Sequence, residues 1–138
     1  MSVCVCHQIP FHDVDSLEIV WHGHYYKYFE LARTALYRSY GLDVNETRSM
    51  GYIFPVIESH CRYAQPLHYG QKIDISASLL AHEVYLHIEY NILHERTNKS
   101  LARGFTKQAV CLAEDGQLLM QVPENLNRIL DIQKDVKP

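Results

Sequence analysis

Basic residues are in short supply in this 138-residue chain: 13 Lys and Arg stand against 16 Asp and Glu, a formal net charge of −3. They do not cluster either, so binding to nucleic acid through phosphate neutralisation is not expected. Also missing is any apolar run approaching the roughly 18 residues that a membrane span requires. The opening MSVCVCHQIP has neither a basic start nor a long apolar stretch, so no secretory leader is expected and the expected location is cytoplasmic. With only four cysteines (Cys4, Cys6, Cys61 and Cys111) the chain is no disulfide-built scaffold, and in a reducing compartment these remain thiols. Cys4-x-Cys6 followed by His7 fits no common zinc spacing; on a strand the two cysteines simply share one face. There is no repeat, linker or low-complexity segment.

What is present is the composition of a globular protein, 47% hydrophobic and 21% charged, at a length that suits one domain spanning residues 1–138. Tyr25, Tyr28, Phe29, Ala32, Leu36 and Tyr40 recur at three- and four-residue steps, which predicts a helix over 24–40 with these residues on its buried stripe. Lys27, Glu30, Arg33, Thr34 and Arg38 fall largely on the other side, and Gly41 is a natural stop. Residues 42–51 read as a short helical or irregular connection. Strands are expected at 3–12, 52–63, 71–81, 84–94 and 101–113, with a short one at 118–122 and a helical turn at 124–130 after Pro123. In the third and fourth of these, Ile73, Ile75, Ala77 and Leu79, then Leu86, Ile88, Tyr90 and Ile92, alternate with polar neighbours. The order of elements predicts an α+β fold: one long helix laid across one face of an antiparallel sheet of about five strands. The uncovered face and the sheet edges suggest an oligomer.

The stretch FHDVDSLEIVWHGHYYKYFELAR, residues 11–33, gathers the chemistry-bearing side chains. Asp13 and Asp15 are two apart, so on an extended segment both would point the same way. His22, Gly23 and His24 stand where the helix begins, and there the first backbone N–H groups lack intrahelical acceptors. Those donors, with the positive end of the helix dipole, favour developing negative charge. Gly23 would let a ligand or another chain approach the backbone. A carboxylate seven residues ahead of such a site could face an electrophile whose carbonyl oxygen points at the helix start, acting as nucleophile or as base toward water.

The segment DVDSLEIVWHGHYYKYFELAR resembles the signature of hotdog-fold acyl-CoA thioesterases, the 4-hydroxybenzoyl-CoA thioesterase-like family. The helix continues as Phe29-Glu30-Leu31-Ala32-Arg33, and downstream CRYAQPLHYGQKIDISASL resembles the family's Tyr-x-x-Pro, Gly and alternating strand. The likeness spans roughly residues 8–125. It implies a hotdog thioesterase with Asp15 as the catalytic carboxylate and His22 as the residue whose backbone N–H polarises the thioester carbonyl. Gly23, Tyr25 and Asp13 are the implied substrate-binding residues. The substrate would be an acyl-CoA or an acyl carrier protein, with CoA entering only as part of the substrate and no cofactor or metal. The family's habit of dimers and dimer pairs implies a homodimer or homotetramer. The chain departs from the pattern in three places. Ser16-Leu17-Glu18 replaces small residues and glycine, Phe11 stands where several relatives have Tyr, and His24 replaces Asn or Ser.

Blander readings accompany these. Asp13 could cap or orient the turn, Glu30 could be a structural ion pair rather than a helix-borne base, and the tyrosine stripe is core packing first. Asp13, Asp15, His22 and His24 are residue types that zinc or iron accept, which leaves a metal site as a rival. Arg96, Lys99, Arg103 and Lys107 could meet CoA phosphates or simply be solvated. The same fold would also suit a hydratase or dehydratase acting on acyl thioesters, or a non-catalytic acyl-thioester binder.

Overall fold

The computed structural model describes residues 2–135, with side-chain environments through Asp131; Met1 and residues 136–138 lie outside it. A first strand, β1 (Ser2–Gln8), leads through a 3-10 turn at Phe11–Asp13 and a second at His22–His24 into α1 (Tyr25–Ser39). Then come α2 (Val44–Ser49), β2 (Tyr52–Ile53), β3 (Val56–Tyr63), β4 (Lys72–Ala81), β5 (Leu86–His94), β6 (Ser100–Gln108), β7 (Cys111–Leu112) and α3 (Glu124–Asp135). Five strands form one antiparallel sheet in the order β1-β4-β5-β6-β3. Register shifts in β3, in β4 and at the β5–β6 pairing bend its ladder.

The predicted helix stripe is buried throughout: Tyr25, Tyr28, Phe29, Ala32, Leu36 and Tyr40 all lie in the core, joined by Tyr37. Each large apolar side chain so covered contributes about 1.5–3 kcal/mol. The stripe meets the alternating residues Ile73, Ile75 and Ala77 of β4 and Leu86, Ile88, Tyr90 and Ile92 of β5. Phe29 lies flat on Tyr90, ring centroids 4.6 Å apart. Beneath them Gly104 leaves room for the helix, because a Cβ there would sit 2.5 Å from the Phe29 ring and 2.4 Å from the His60 carbonyl oxygen. α3 closes the end of the core with Leu126 and Leu130.

The opposite face is uncovered and carries polar residues together with Leu93 and Phe105. Cys4 and Cys6 on β1, Asp74, Ser76 and Ser78 on β4, Glu89 on β5 and Arg103 on β6 share it by register. The edge strand β3 is open as well. Every β3 residue except Cys61 is exposed, including Val56, Ile57 and Tyr63.

Other boundaries move for local reasons. β1 ends at Gln8, short of the expected 12, where Pro10 removes a donor and starts a turn. The expected strand 52–63 divides at Phe54-Pro55, and 101–113 divides after Gln108; the fragments β2 and β7 pair with each other as a second small sheet. Residues 118–122 give only one isolated bridge, Cys111 to Leu118. The C-terminal helix outruns its expected end at 130.

Gly104→Ala should lower stability by about 1–3 kcal/mol, since the added methyl meets backbone as well as the Phe29 ring. A denaturant titration would read this as a lower midpoint at unchanged m-value.

Candidate active site

Between β1 and α1 the chain forms a compact loop, pinned by a bridge between Val14 and Val20. Asp15 begins its turn. The Asp15 amide donates to the Ile19 carbonyl (2.9 Å), the Glu18 amide to the Asp15 carbonyl (2.9 Å), and the Leu17 amide to Asp15 Oδ1 (2.8 Å). Glu18 adopts a left-handed backbone, φ 64°, a conformation that favours glycine. The turn is thus kept in shape although its residues depart from the usual small ones.

Past Val20 the chain is fastened from two sides. Val20 N–H donates to the Leu67 carbonyl (2.8 Å) and Trp21 N–H to the Asp13 carbonyl (3.1 Å). The helix then starts without a side-chain cap at Trp21 or His24. The His24 and Tyr25 amides already turn back onto Trp21 and His22, whereas the His22 and Gly23 amides have no acceptor among the described residues. Two unpaired donors therefore begin the first turn, as expected of a helix start. Across the antiparallel Val14–Val20 bridge Asp15 faces Ile19 on the turn side, while Asp13 faces Trp21, the residue that leads into His22.

Aromatic side chains wall the helix start. The Trp21 indole lies across Gly23, where a Cβ would come within 2.2 Å of the ring; the space kept open by this glycine is filled from within the chain. The His22 ring is 5.0 Å from Trp21 and 6.2 Å, edge-on, from Tyr63. Tyr63 Oη donates to the His22 carbonyl (2.9 Å), tying the end of β3 to the helix start. Tyr25 is buried and meets Tyr63 edge-to-face at 4.6 Å, so it anchors the turn from below. Burial raises the Tyr63 phenol to about 12 and the Cys61 thiol to about 11.

The two aspartates do not share a face. Asp13 closes a 3-10 turn, is 1% exposed, and accepts from Lys27 Nζ (2.5 Å) and Tyr28 Oη (2.7 Å). His12 Nε2 and His24 Nε2 approach it at 3.7 and 4.0 Å. Burial pushes this carboxyl up, but the hydrogen bonds from Lys27 and Tyr28 and the Lys27 and His24 charges outweigh it and hold it below the ordinary range. Burial and the bond to Asp13 push the Tyr28 phenol far up. His7 lies against Tyr28 with its Nε2 buried and unpartnered, and burial lowers its pKa. Both Asp13 oxygens are thus engaged. No three His, Cys, Asp or Glu side chains among the described residues are placed to hold a metal ion.

Of the residues read from the sequence, His22 and Gly23 carry the unpaired amides, Tyr25 supports them from the core, Asp13 with His24 forms the adjoining polar lock, and Asp15 stands in the turn before them, bonded to Leu17, Glu18 and Ile19. Lys27, Tyr28 and Tyr63 were not singled out as site residues. No sequence spacing links position 63 to 22, or 13 to 27 and 28.

A hotdog fold with this helix start defines the class. The sequence model of the thioesterase-like superfamily matches residues 9–136, and the chain belongs to that superfamily. An Aquifex aeolicus (strain VF5) protein, provisionally named an esterase, is 25% identical over 128 residues, covering 93% of this chain and 94% of its own. A Bacillus subtilis (strain 168) protein, provisionally named an acyl-CoA thioesterase, is 31% identical over 64 residues, or 46% of each. Among solved structures, an aspartate-to-asparagine variant of 4-hydroxybenzoyl-CoA thioesterase in complex with 4-hydroxybenzoyl-CoA matches with a TM-score of 0.80 at 14% identity. The match covers 93% of this chain and 97% of that one.

Asp13→Asn should cost about 1–3 kcal/mol at neutral pH, since the Lys27 and Tyr28 donors lose a charged acceptor. The sign in acid follows from the depressed pKa. The carboxylate's contribution is complete above the unfolded value, about 4, and is lost as pH falls through the folded value. Melting curves at pH 7 and in acid should therefore converge for wild type and variant as pH drops.

Proposed function

We propose that this chain is an acyl-CoA thioester hydrolase, with acyl carrier protein as the other substrate its chemistry would suit. The observation that carries the reading is the pair of unpaired amides at His22 and Gly23, which open the helix that follows the Asp15 turn. The thioester carbonyl oxygen would lie at the His22 backbone N–H, which stabilises the oxyanion formed on attack; one such donor is worth about 2.7–4 kcal/mol. Asp15 would attack the carbonyl carbon, to be released later by water, or would take a proton from the attacking water. In both routes the new bond is C–O, the bond broken is C–S, and the thiolate leaves as thiol. Asp13, Gly23 and Tyr25 hold the loop and helix start in register for the substrate.

The working unit is proposed to be a homodimer or homotetramer, supported by the exposed edge β3 and its apolar Val56, Ile57 and Tyr63. A cytoplasmic location is in keeping with four free cysteines, and no helix among the described residues is long and apolar enough to cross a membrane. No cofactor is called for by this chemistry.

Thiol release from short, long and aromatic acyl-CoAs and one acyl carrier protein should reveal a substrate. On it, Asp15→Asn should reduce kcat by about 10²–10⁴-fold with the fold unchanged by circular dichroism. His22→Ala should keep most of the turnover, because the donor is backbone. Full activity in Asp15→Asn would overturn the mechanism; hydration of an enoyl-CoA without thiol release would replace it with the hydratase reading.

A further inference from the structure

A cavity of about 380 Å³ lies beside the second half of α1, closed by α2 and the start of β2–β3. Its apolar walls include Tyr37, Leu42, Ile53, Phe54 and Pro55, and two charged groups drawn back from water line it: Asp43, whose oxygens are taken by Arg38 Nε (2.7 Å) and the Val44 amide (2.8 Å), and Arg33. The sequence pattern put Arg33 on the solvent side of the helix, yet its side chain is only 15% exposed. It donates to the Tyr90 hydroxyl. Its nearest carboxylate among the described residues is Glu30 Oε2 at 4.0 Å, and Glu30 is itself 68% exposed. An exposed pair at that distance contributes little. Gln108 shares the cavity, but it is committed: its Oε1 accepts from Tyr37 Oη and its Nε2 donates to the Phe54 carbonyl. Arg48 stands at the exposed rim.

The cavity lies along the same helix, toward its C-terminal half. Tyr26, Glu30, Arg33 and Tyr37 follow at four- and three-residue steps and so line one flank of α1. At its far end that flank faces the Phe54–Pro55 break and β6, where Tyr37 meets Phe54 and Gln108. Tyr63, at the C-terminal end of β3, holds the His22 carbonyl, while Val56, at its N-terminal end, pairs with Gln108 at the cavity. From Tyr25 to Arg33 is eight residues, about 12 Å along the axis at about 1.5 Å per residue.

We propose that Arg33 selects thioesters whose acyl chain ends in a carboxylate, an inference that rests on the hydrolase reading for its catalytic half. With the thioester carbonyl at the His22 amide, the acyl chain runs along this flank and its terminal group enters the cavity. The guanidinium fork matches a planar carboxylate with two parallel hydrogen bonds. A methyl end would instead leave the half-buried cation facing hydrocarbon without an acceptor. Glu30 occupies the position of that acceptor only loosely and can turn out to water when a ligand carboxylate arrives.

The test compares kcat/KM for adipoyl-CoA against hexanoyl-CoA and for suberoyl-CoA against octanoyl-CoA, with free adipate and hexanoate titrated into the protein by calorimetry. At least one carboxylate-ended substrate should be preferred by about tenfold or more, adipate should bind where hexanoate does not, and Arg33→Gln should bring the ratio near one and abolish adipate binding. Arg48→Gln, at the exposed rim, should narrow the same ratio, which keeps the test decisive if Arg33→Gln fails to fold. Equal turnover of both members of each pair, or a preference unchanged in these variants, would overturn the inference. Adipate binding that Arg33→Gln removes, in a protein that cleaves no thioester, would leave this site standing and sink the hydrolase reading. Thioester cleavage without any preference or adipate binding would do the reverse.

Discussion

The Asp13 carboxylate, sealed between Lys27 Nζ and Tyr28 Oη, fixes where the whole segment between β1 and α1 lies. A buried charge is tolerable only when its lone pairs are filled. Both donors come from the first turn of α1, so the segment cannot shift relative to the helix without leaving the charge unpaired. The Asp13 carbonyl takes the Trp21 amide as well, and thereby grips the strand end that delivers His22. Asp15 and the helix-start amides are thus hung from one residue at both ends of a short bridged turn. A buried, charge-assisted lock of this kind keeps the displacement of the segment small.

Packing explains why that lock can be so close to the surface. α1 buries its stripe against the central strands and leaves its first turn at the sheet margin, where Tyr25 and Tyr63 meet edge-to-face. Gly104 sets the depth of the helix by letting Phe29 lie against the sheet. A shallower helix would carry the His22 amide away from β3 and from the Tyr63 hydroxyl that steadies its carbonyl. The depth of the core and the shape of the site are the same constraint seen from two positions in the chain.

The period of the apolar residues made α1 and the central strands legible, because 3.6-residue and two-residue patterns each survive wherever one face is buried. Its failures occur where a residue is neither inside nor outside. Arg33 sits on the polar side of the helical wheel but on a flank roofed by α2 and Pro55, elements whose placement no periodicity encodes. The breaks at Phe54-Pro55 and after Gln108 follow from two fragments leaving the main sheet to pair with each other, a long-range choice between residues about 60 apart in sequence. Within the candidate site, Asp15, His22 and Gly23 could be read because they share one local segment. Tyr63 could not, since its contact with His22 is created only when β3 takes the sheet edge. The assignment of Asp13 to a lock rather than to a shared carboxylate face depended on a 3-10 turn that two-residue alternation does not foresee.

Protonation states divide the neighbourhood of the helix start into donors and acceptors. The Tyr63 phenol at about 12 and the Cys61 thiol at about 11 keep their protons at neutral pH, both through burial. Tyr63 can therefore orient the His22 peptide by donating to it, but takes no proton from water, and Cys61 offers no thiolate for attack. Asp13 is held as an anion, yet its oxygens are occupied by Lys27 and Tyr28, so it is spent on structure. Asp15 differs from all three: one oxygen is fixed by the Leu17 amide, which sets the rotamer, while no partner among the described residues takes the other. A carboxylate oriented through one oxygen and open at the second is the arrangement that either nucleophilic attack or activation of water requires, and in this loop the fold provides it at position 15.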